Sequence, residues 1–337
     1  MSKKCYGIGV IGCGVIWNGG HWEGGLKHIP NDTKVLYVYD VKKELAVDAG
    51  NKTGAKVVDH PDAIFESPDV DIVTLATPPF ARAEYVQKAC EAGKHLTVEK
   101  PMARTIEDAL SIFRSVRKSG VKCFVPFARA VSSVYRELVD IIQSGELGDP
   151  LAFVHTNLSG PYGWVPLDHW MHDIEKSGGP IFDYSIHFIE LARACMGSEA
   201  KEICYMGAAT TGLVKSDDQA TMLVQYESGG FGEFTKSWSF PPNVPLGYQS
   251  THIVCRNAVV TLDPKVIIHA PNGDREVTAK SEIPGRTEGY LNLISAIEND
   301  TPLFASELEG LRTIEILDTA LKSRETGRKE QVQIHKD

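Results

Sequence analysis

The chain has 337 residues, 42% hydrophobic and 23% charged, and its 35 basic and 44 acidic residues leave a net charge of −9. That length suits about two domains, and the acidic balance excludes the basic footprint that nucleic-acid binding needs. Seven scattered cysteines without a C-x-x-C pair argue against a disulfide framework or structural zinc and for a reducing cytoplasm. The opening Met1-Ser2-Lys3-Lys4 leads into an apolar run too short for a signal peptide, and no uncharged apolar stretch would span a membrane.

Residues 1–126 alternate short apolar runs with helical patterns. Strands are expected at Tyr6–Ile11, Lys34–Asp40, Asp71–Leu75, His95–Val98 and Lys122–Val125, and helices at Lys42–Gly54, Phe80–Ala92 and Ile106–Lys118. Thr105 can cap the last helix, with Asp108 three residues on, and Gly120 follows its end. Strand–helix alternation with unbroken apolar strands predicts a parallel sheet covered on both faces.

From residue 127 to 337 the pattern changes. A helix at Val134–Gln143 gives way to longer runs: Leu151–Leu158, Glu202–Thr211, Gln219–Glu227, Gly232–Trp238, Thr251–Cys255 and Val259–Leu262. Several alternate polar and apolar residues, as a largely antiparallel sheet with one wetter face would. A helix is expected at Phe182–Met196, with Glu288–Glu298 and Leu308–Thr326 closing the chain, where these last helices could also pack back on the first domain. The loops Gly160–His172 and Phe240–Gln249, rich in Pro, Gly and aromatics, suit a site wall.

Gly12-Cys13-Gly14 lies where the first strand should pass into a helix. Glycines there allow a tight turn and bring backbone N–H groups toward a dinucleotide pyrophosphate. Trp17 stands where the third glycine of G-x-G-x-x-G would be. Asp40, ending the second strand, can accept from the adenosine ribose and would repel a 2′-phosphate, which favours NAD over NADP. Lys42 and Lys43 follow and would tolerate a phosphate, so NADP stays open.

Ala92-Gly93-Lys94-His95 followed by Glu99-Lys100-Pro101, and Gly178-Gly179 followed by Asp183 and His187, resemble the two signatures of the glucose–fructose oxidoreductase/inositol dehydrogenase (Gfo/Idh/MocA) family. The resemblance spans nearly the whole chain. It implies an N-terminal Rossmann dinucleotide-binding domain and a C-terminal α+β domain with a large open, mainly antiparallel sheet, which often joins subunits into homodimers or homotetramers. It implies cofactor contacts at Gly12, Cys13, Gly14, Val15, Ile16, Asp40, Ala76, Thr77, Pro78, Glu99, Lys100 and Arg129. Pro79, Arg82 and Ala128 depart from residues that family members often carry at those places.

Lys100 follows a strand and precedes Pro101, so it faces the crevice at the strand ends and can polarise a reacting oxygen. Asp183 and His187, four apart, would share a helix face. Histidine can take a hydroxyl proton near neutrality, with the carboxylate orienting it or holding substrate. Lys100 and His187 can exchange the base role. Tyr162, Trp164, His169 and Trp170, with Tyr184 and Trp238 further on, offer rings against which a sugar face could stack; core packing is the other reading of each. No helical metal-binding pattern appears, although His169, His172, Asp173 and His187 could be assembled into a site. These features point to an NAD(P)-dependent dehydrogenase of a sugar, glycoside or cyclitol secondary alcohol. A dinucleotide-binding sensor without turnover and a redox-assisted glycosidase are the rivals.

Overall fold

A computed structural model describes residues 4–241, 244 and 246–336. Met1, Ser2 and Lys3 of the opening segment, positions 242, 243 and 245 of the Pro-rich loop, and position 337 lie outside the described residues. The chain divides into two compact units, Met1–Pro126 with Glu282–Leu311, and Phe127–Ser281 with Arg312–Asp337. The helix Gly285–Asn299 belongs to the first unit.

Six parallel strands form the first unit's sheet: β1 (Tyr6–Ile11), β2 (Thr33–Tyr39), β3 (Lys56–Val57), β4 (Ile72–Leu75), β5 (His95–Val98) and β6 (Cys123–Phe124). Their order is β3-β2-β1-β4-β5-β6, so chain direction across the sheet reverses between β1 and β4. Such a switch point opens a crevice at the carboxyl ends of the strands. Every residue of β1 and β4 is buried, which explains why these strands read as unbroken apolar runs.

The helix Ile106–Ser119 begins and ends as its sequence indicates. Thr105 accepts from the Asp108 N–H at 3.2 Å, and Gly120 takes a left-handed φ of 73°. Two helical segments of this unit differ from expectation. The one after β1 is a π-type segment, Ile16–Glu23, and Phe80–Ala92 is a short 3₁₀ turn, Pro79–Ala81, followed by the helix Ala83–Glu91. Pro79 holds Pro78 extended, with φ −58° and ψ 150°, so no helix can begin before Pro79.

The second unit is built on nine strands. They are β7 (Pro150–Leu158), β8 (Ala200–Ala208), β9 (Gln219–Tyr226), β10 (Phe231–Ser237), β11 (Tyr248–Cys255), β12 (Val259–Thr261), β13 (Ile267–Ala270), β14 (Gly273–Glu276) and β15 (Glu330–Gln331). The order is β14-β13-β12-β11-β7-β10-β9-β8-β15, antiparallel throughout except for β7 beside β10. Phe153, Phe234, Met222 and Ile253 fill the core from alternate positions, while the intervening residues face outward. The β13–β14 hairpin and β15 carry no sequence signal: β14 is Gly-Asp-Arg-Glu, exposed throughout.

The expected helix Phe182–Met196 is two pieces. A π-type turn, Ile181–Ser185, leads into the α-helix Ile186–Met196. Asp183 thus lies in the wider turn and His187 in the helix proper. Among the described residues no helix is long and apolar enough to cross a membrane.

Candidate active site

In the first unit, the end of β1 closes tightly over the end of β4. Gly12 has φ 93°, and a Cβ there would lie 2.7 Å from the Ala76 carbonyl carbon and 2.8 Å from the Thr77 nitrogen. Only glycine fits both the backbone angle and the space. Asp40, just past β2, accepts from the Cys13 N–H at 2.7 Å and the Lys42 N–H at 2.8 Å. Both carboxylate oxygens are thereby fixed at the strand end.

The Cys13 N–H is spent on Asp40 rather than left to a phosphate. The Cys13 thiol is buried and pushed up to about 12, chiefly by burial and then by Asp40, so it stays neutral. Val15 and Ile16 beyond it are exposed, whereas Trp17 is wholly buried with its ring stacked 6.4 Å from His21. The indole at the third-glycine place therefore belongs to the core, and the helix around it takes the π form with its extra residue per turn.

Lys100, half-buried after β5, sits in a loop held from three directions. Arg82, 3% exposed, donates Nε to the Thr77 carbonyl at 2.9 Å and Nη1 to the carbonyls of Glu99 and Pro101. The residues on either side of Lys100 are thus tied to the Ala76-Thr77-Pro78 segment through one guanidinium. Burial lowers Arg82 to about 10, and Glu99 opposes that shift, so it remains a cation. The third anchor is Glu99 Oε2, which accepts from the Lys100 N–H at 3.0 Å.

Glu99 Oε1 faces inward, to Arg286 and to His21 Nε2 at 3.1 Å. His21 Nδ1 is 2.8 Å from the Tyr290 hydroxyl, which is 3.0 Å from Thr74 Oγ1. Burial and the Arg286 charge hold His21 below its usual range. A neutral ring then donates from Nε2 to Glu99 and accepts at Nδ1 from Tyr290. Burial alone would raise the Glu99 carboxyl, but Arg286, His21 and Lys100 outweigh it and keep it well below the ordinary value. Glu99 thus binds Arg286 and His21 through Oε1 and the Lys100 N–H through Oε2.

In the second unit, His187 Nδ1 accepts from the Ala128 N–H at 3.1 Å. The neighbouring Arg129 donates Nε and Nη2 to Glu190 Oε1, at 2.8 and 2.5 Å. Glu190 is wholly buried one turn beyond His187, so Arg129, expected at the cofactor, is bound to the helix that carries the histidine. Asp183 Oδ2 accepts from the Tyr162 hydroxyl. Burial first, and Asp183 second, push that phenol well above its normal range and keep it a donor.

The ring loop divides into inner and outer parts. Trp164 is 55% exposed and stands 5.5 Å from Tyr162, and His169 and Trp170 are paired at 5.5 Å. Trp238 has no exposure and packs edge-on against Tyr162 and His172, so it is core rather than site wall. His172 is spent on the Tyr162 N–H and the Pro166 carbonyl. Among the described residues no three His, Cys, Asp or Glu side chains converge as metal ligands.

Lys236 was not expected. It is 2% exposed on β10, bonded to Asn157 and to Ser159 Oγ at 2.8 Å, with its ammonium 5.2 Å from the Tyr184 ring centre. Burial lowers it to about 8, and Asp183 partly offsets that. An inward-facing strand lysine gives no sequence signal, because its alternation with Phe234 and Trp238 shows only once the register is known.

A family model described as "Oxidoreductase family, NAD-binding Rossmann fold" matches residues 6–127, and the GFO/IDH/MocA C-terminal domain matches residues 135–261. The chain belongs to the GFO/IDH/MocA oxidoreductase family, and its first unit is an NAD-binding Rossmann domain. It is 28% identical over 213 residues to a scyllo-inositol 2-dehydrogenase (NAD(+)) of Bacillus subtilis, covering 62% of this chain and 60% of that protein. A myo-inositol 2-dehydrogenase of Thermotoga maritima is 29% identical over 242 residues, 68% of each chain. The chain thus spans less than two thirds of the first relative's length. Its fold matches that of an oxidoreductase domain protein from Kribbella flavida with a TM-score of 0.86 at 19% identity, over 99% of this chain and 100% of that one.

Proposed function

We propose that the protein oxidises a secondary alcohol of a sugar, glycoside or cyclitol, or reduces the corresponding ketone, with a nicotinamide dinucleotide. The observation that carries this is the loop of Lys100, whose N–H and both flanking carbonyls are clamped by buried Glu99 and Arg82. Fixing one half-buried lysine so thoroughly suits a group that must meet a reacting oxygen. The inositol dehydrogenases among its relatives make a ring polyol the first substrate class to examine.

The Gly12 turn and the Asp40 carboxylate suit a dinucleotide, with Val15, Ile16 and the Ala76-Thr77-Pro78 segment beside them. The nicotinamide, when bound, supplies the hydride acceptor. Lys100 and His187 handle the oxygen and proton of the substrate hydroxyl, and Asp183, steadied by Tyr162, holds a second hydroxyl or the histidine. Trp164, Trp170 and His169 offer stacking faces and one hydrogen bond to the substrate ring.

The substrate assignment is tested by comparing kcat/KM over inositols, hexoses, glycosides and short 2-hydroxy acids. A ring polyol is expected to lead; lactate or malate ahead of every ring compound would reject the ring-binding reading. Asp40 yields a prediction on cofactor choice. A 2′-phosphate would crowd a carboxylate whose two oxygens are already fixed, so NAD should bind better than NADP by about 1–3 kcal/mol. Titration calorimetry with each dinucleotide checks this, and equal affinity would move the choice to Lys42 and Lys43.

We further read the chain as a cytoplasmic homo-oligomer joined through the second sheet. The outward row Gln225, Phe231, Ala152, Val254 and Val259 runs across five strands, with Phe231 40% and Val259 36% exposed. An apolar band of that width is costly to leave in water. Light scattering is expected to give a dimer or tetramer.

A further inference from the structure

We propose that Lys236 is a positioning residue for Asp183: a buried cation on the second sheet whose charge holds that carboxylate where it binds a substrate hydroxyl. The inference rests on the dehydrogenase reading for the role of Asp183, whereas the two groups themselves lie within the second unit. A buried ammonium is costly unless both its donors and its charge are answered. The sheet answers the donors. Lys236 bonds to Asn157 Oδ1 and to Ser159 Oγ, and its ammonium lies 5.2 Å from the Tyr184 ring centre. The sheet does not answer the charge. His155 on β7 is lowered to about 3 by burial and by Lys236, so it is neutral, and β9 sets Ala220 opposite the lysine. The counter-charge is Asp183, which works against the effect of burial on Lys236.

The cation is itself fixed. Lys236, Asn157 and Gln249 stand opposite one another on β10, β7 and β11, and their amides are ordered in one direction. Asn157 accepts from the ammonium and donates Nδ2 to Gln249 Oε1 at 3.0 Å, and Gln249 donates Nε2 to Asp263 at 2.7 Å. Gln249 Oε1 also receives the Tyr184 hydroxyl at 2.5 Å, which keeps that ring beside the ammonium. Asp183 precedes Tyr184 in Ile181–Ser185, and π-type turns of this kind recur at functional sites. The Tyr162 hydroxyl gives the carboxylate one hold, and the charge of Lys236 gives it a second.

The second hold depends on pH, with a sign set by the groups around the lysine. Tyr184 is raised by burial and by Asp263, Tyr162 is raised well above its normal range by burial and by Asp183, and His155 stays neutral. Lys236, lowered by burial to about 8, is the group among these that changes charge in the working range. Below pH 8 the ammonium attracts Asp183, and as the pH rises through 8 that attraction is lost. Polyol affinity should fall with it, whereas NAD affinity, assigned to the first unit, should not.

Two measurements test this. In the full chain with isotope-labelled lysine, the Lys236 NMR signal is identified by its loss in Lys236→Met, or in Lys236→Arg should the methionine variant not fold. It should titrate near pH 8, and its midpoint should move down by roughly half a pH unit or more in Asp183→Asn. A midpoint unchanged by Asp183→Asn would overturn the pairing whatever the activity. In kinetics with the inositol of highest kcat/KM, the wild-type KM should rise several-fold between about pH 7 and 9.5. Lys236→Met should show a KM already raised roughly 10-fold at neutral pH and flat over that range, with the KM for NAD unchanged. A flat wild-type KM, a step that persists in Lys236→Met, or a normal polyol KM in that variant would overturn the positioning role. If no polyol were turned over at all, the dehydrogenase reading would fail while the NMR titration still decided the pairing.

Discussion

Lys100→Ala is expected to lower kcat by roughly 10²–10⁴-fold while leaving NAD affinity within a few-fold. The side chain is assigned to the reacting oxygen, whereas the loop that carries it is held by groups the substitution does not touch. Glu99 still accepts the backbone N–H of residue 100, and Arg82 still binds the carbonyls of Glu99 and Pro101. The turn at Gly12, proposed to meet the dinucleotide, is equally unaffected. Pre-steady-state absorbance of the reduced nicotinamide, paired with calorimetric NAD titration, separates the two effects. A variant with near-normal kcat would remove Lys100 from the chemistry.

Glu99→Ala should have the largest effect on stability, about 3–5 kcal/mol, because it strands a buried charge rather than deleting a pair. Arg286 would lose its carboxylate, His21 Nε2 its acceptor and the Lys100 N–H its partner, all in one enclosed cluster. Glu99→Gln, which keeps an acceptor, should cost less. Denaturant unfolding of the single variants and of Glu99→Ala with Arg286→Ala checks this, with the double variant well short of the summed losses. Additive losses would show that the cluster is not coupled.

Much of the framework was legible because local signals and tertiary demand agree. The capping residues Thr105 and Asp108 and the terminal Gly120 bound a helix within one residue of its observed end. The unbroken apolar strands around Gly12 announced burial on both faces, and Asp40 falls at the strand end where its spacing put it. Motif spacing also singled out Lys100, Asp183 and His187.

What the sequence did not show is how those residues are held. Arg82 reads as a polar residue near a helix start, yet it is buried because three carbonyls from two loops converge on it. His21, Arg286 and Tyr290 lie more than 260 positions apart in part of their contacts, a separation no local pattern encodes. Ala128 acts through its backbone N–H, which every residue but proline possesses, so its identity carries no signal. The π-type turn at Ile181–Ser185 is indistinguishable in sequence from regular helix, since period alone does not show a wider turn. For Trp238 the core reading is the one that holds, and aromatic composition alone cannot separate a core indole from a stacking surface.

Hydride transfer itself is most directly tested with a ring polyol deuterated at its carbinol carbon, incubated with the protein and oxidised NAD. The account predicts one deuterium on the reduced nicotinamide by mass spectrometry, formed at a rate that collapses in Lys100→Ala. Bound NAD with no labelled product from any polyol in the panel would contradict it and leave a dinucleotide-binding sensor.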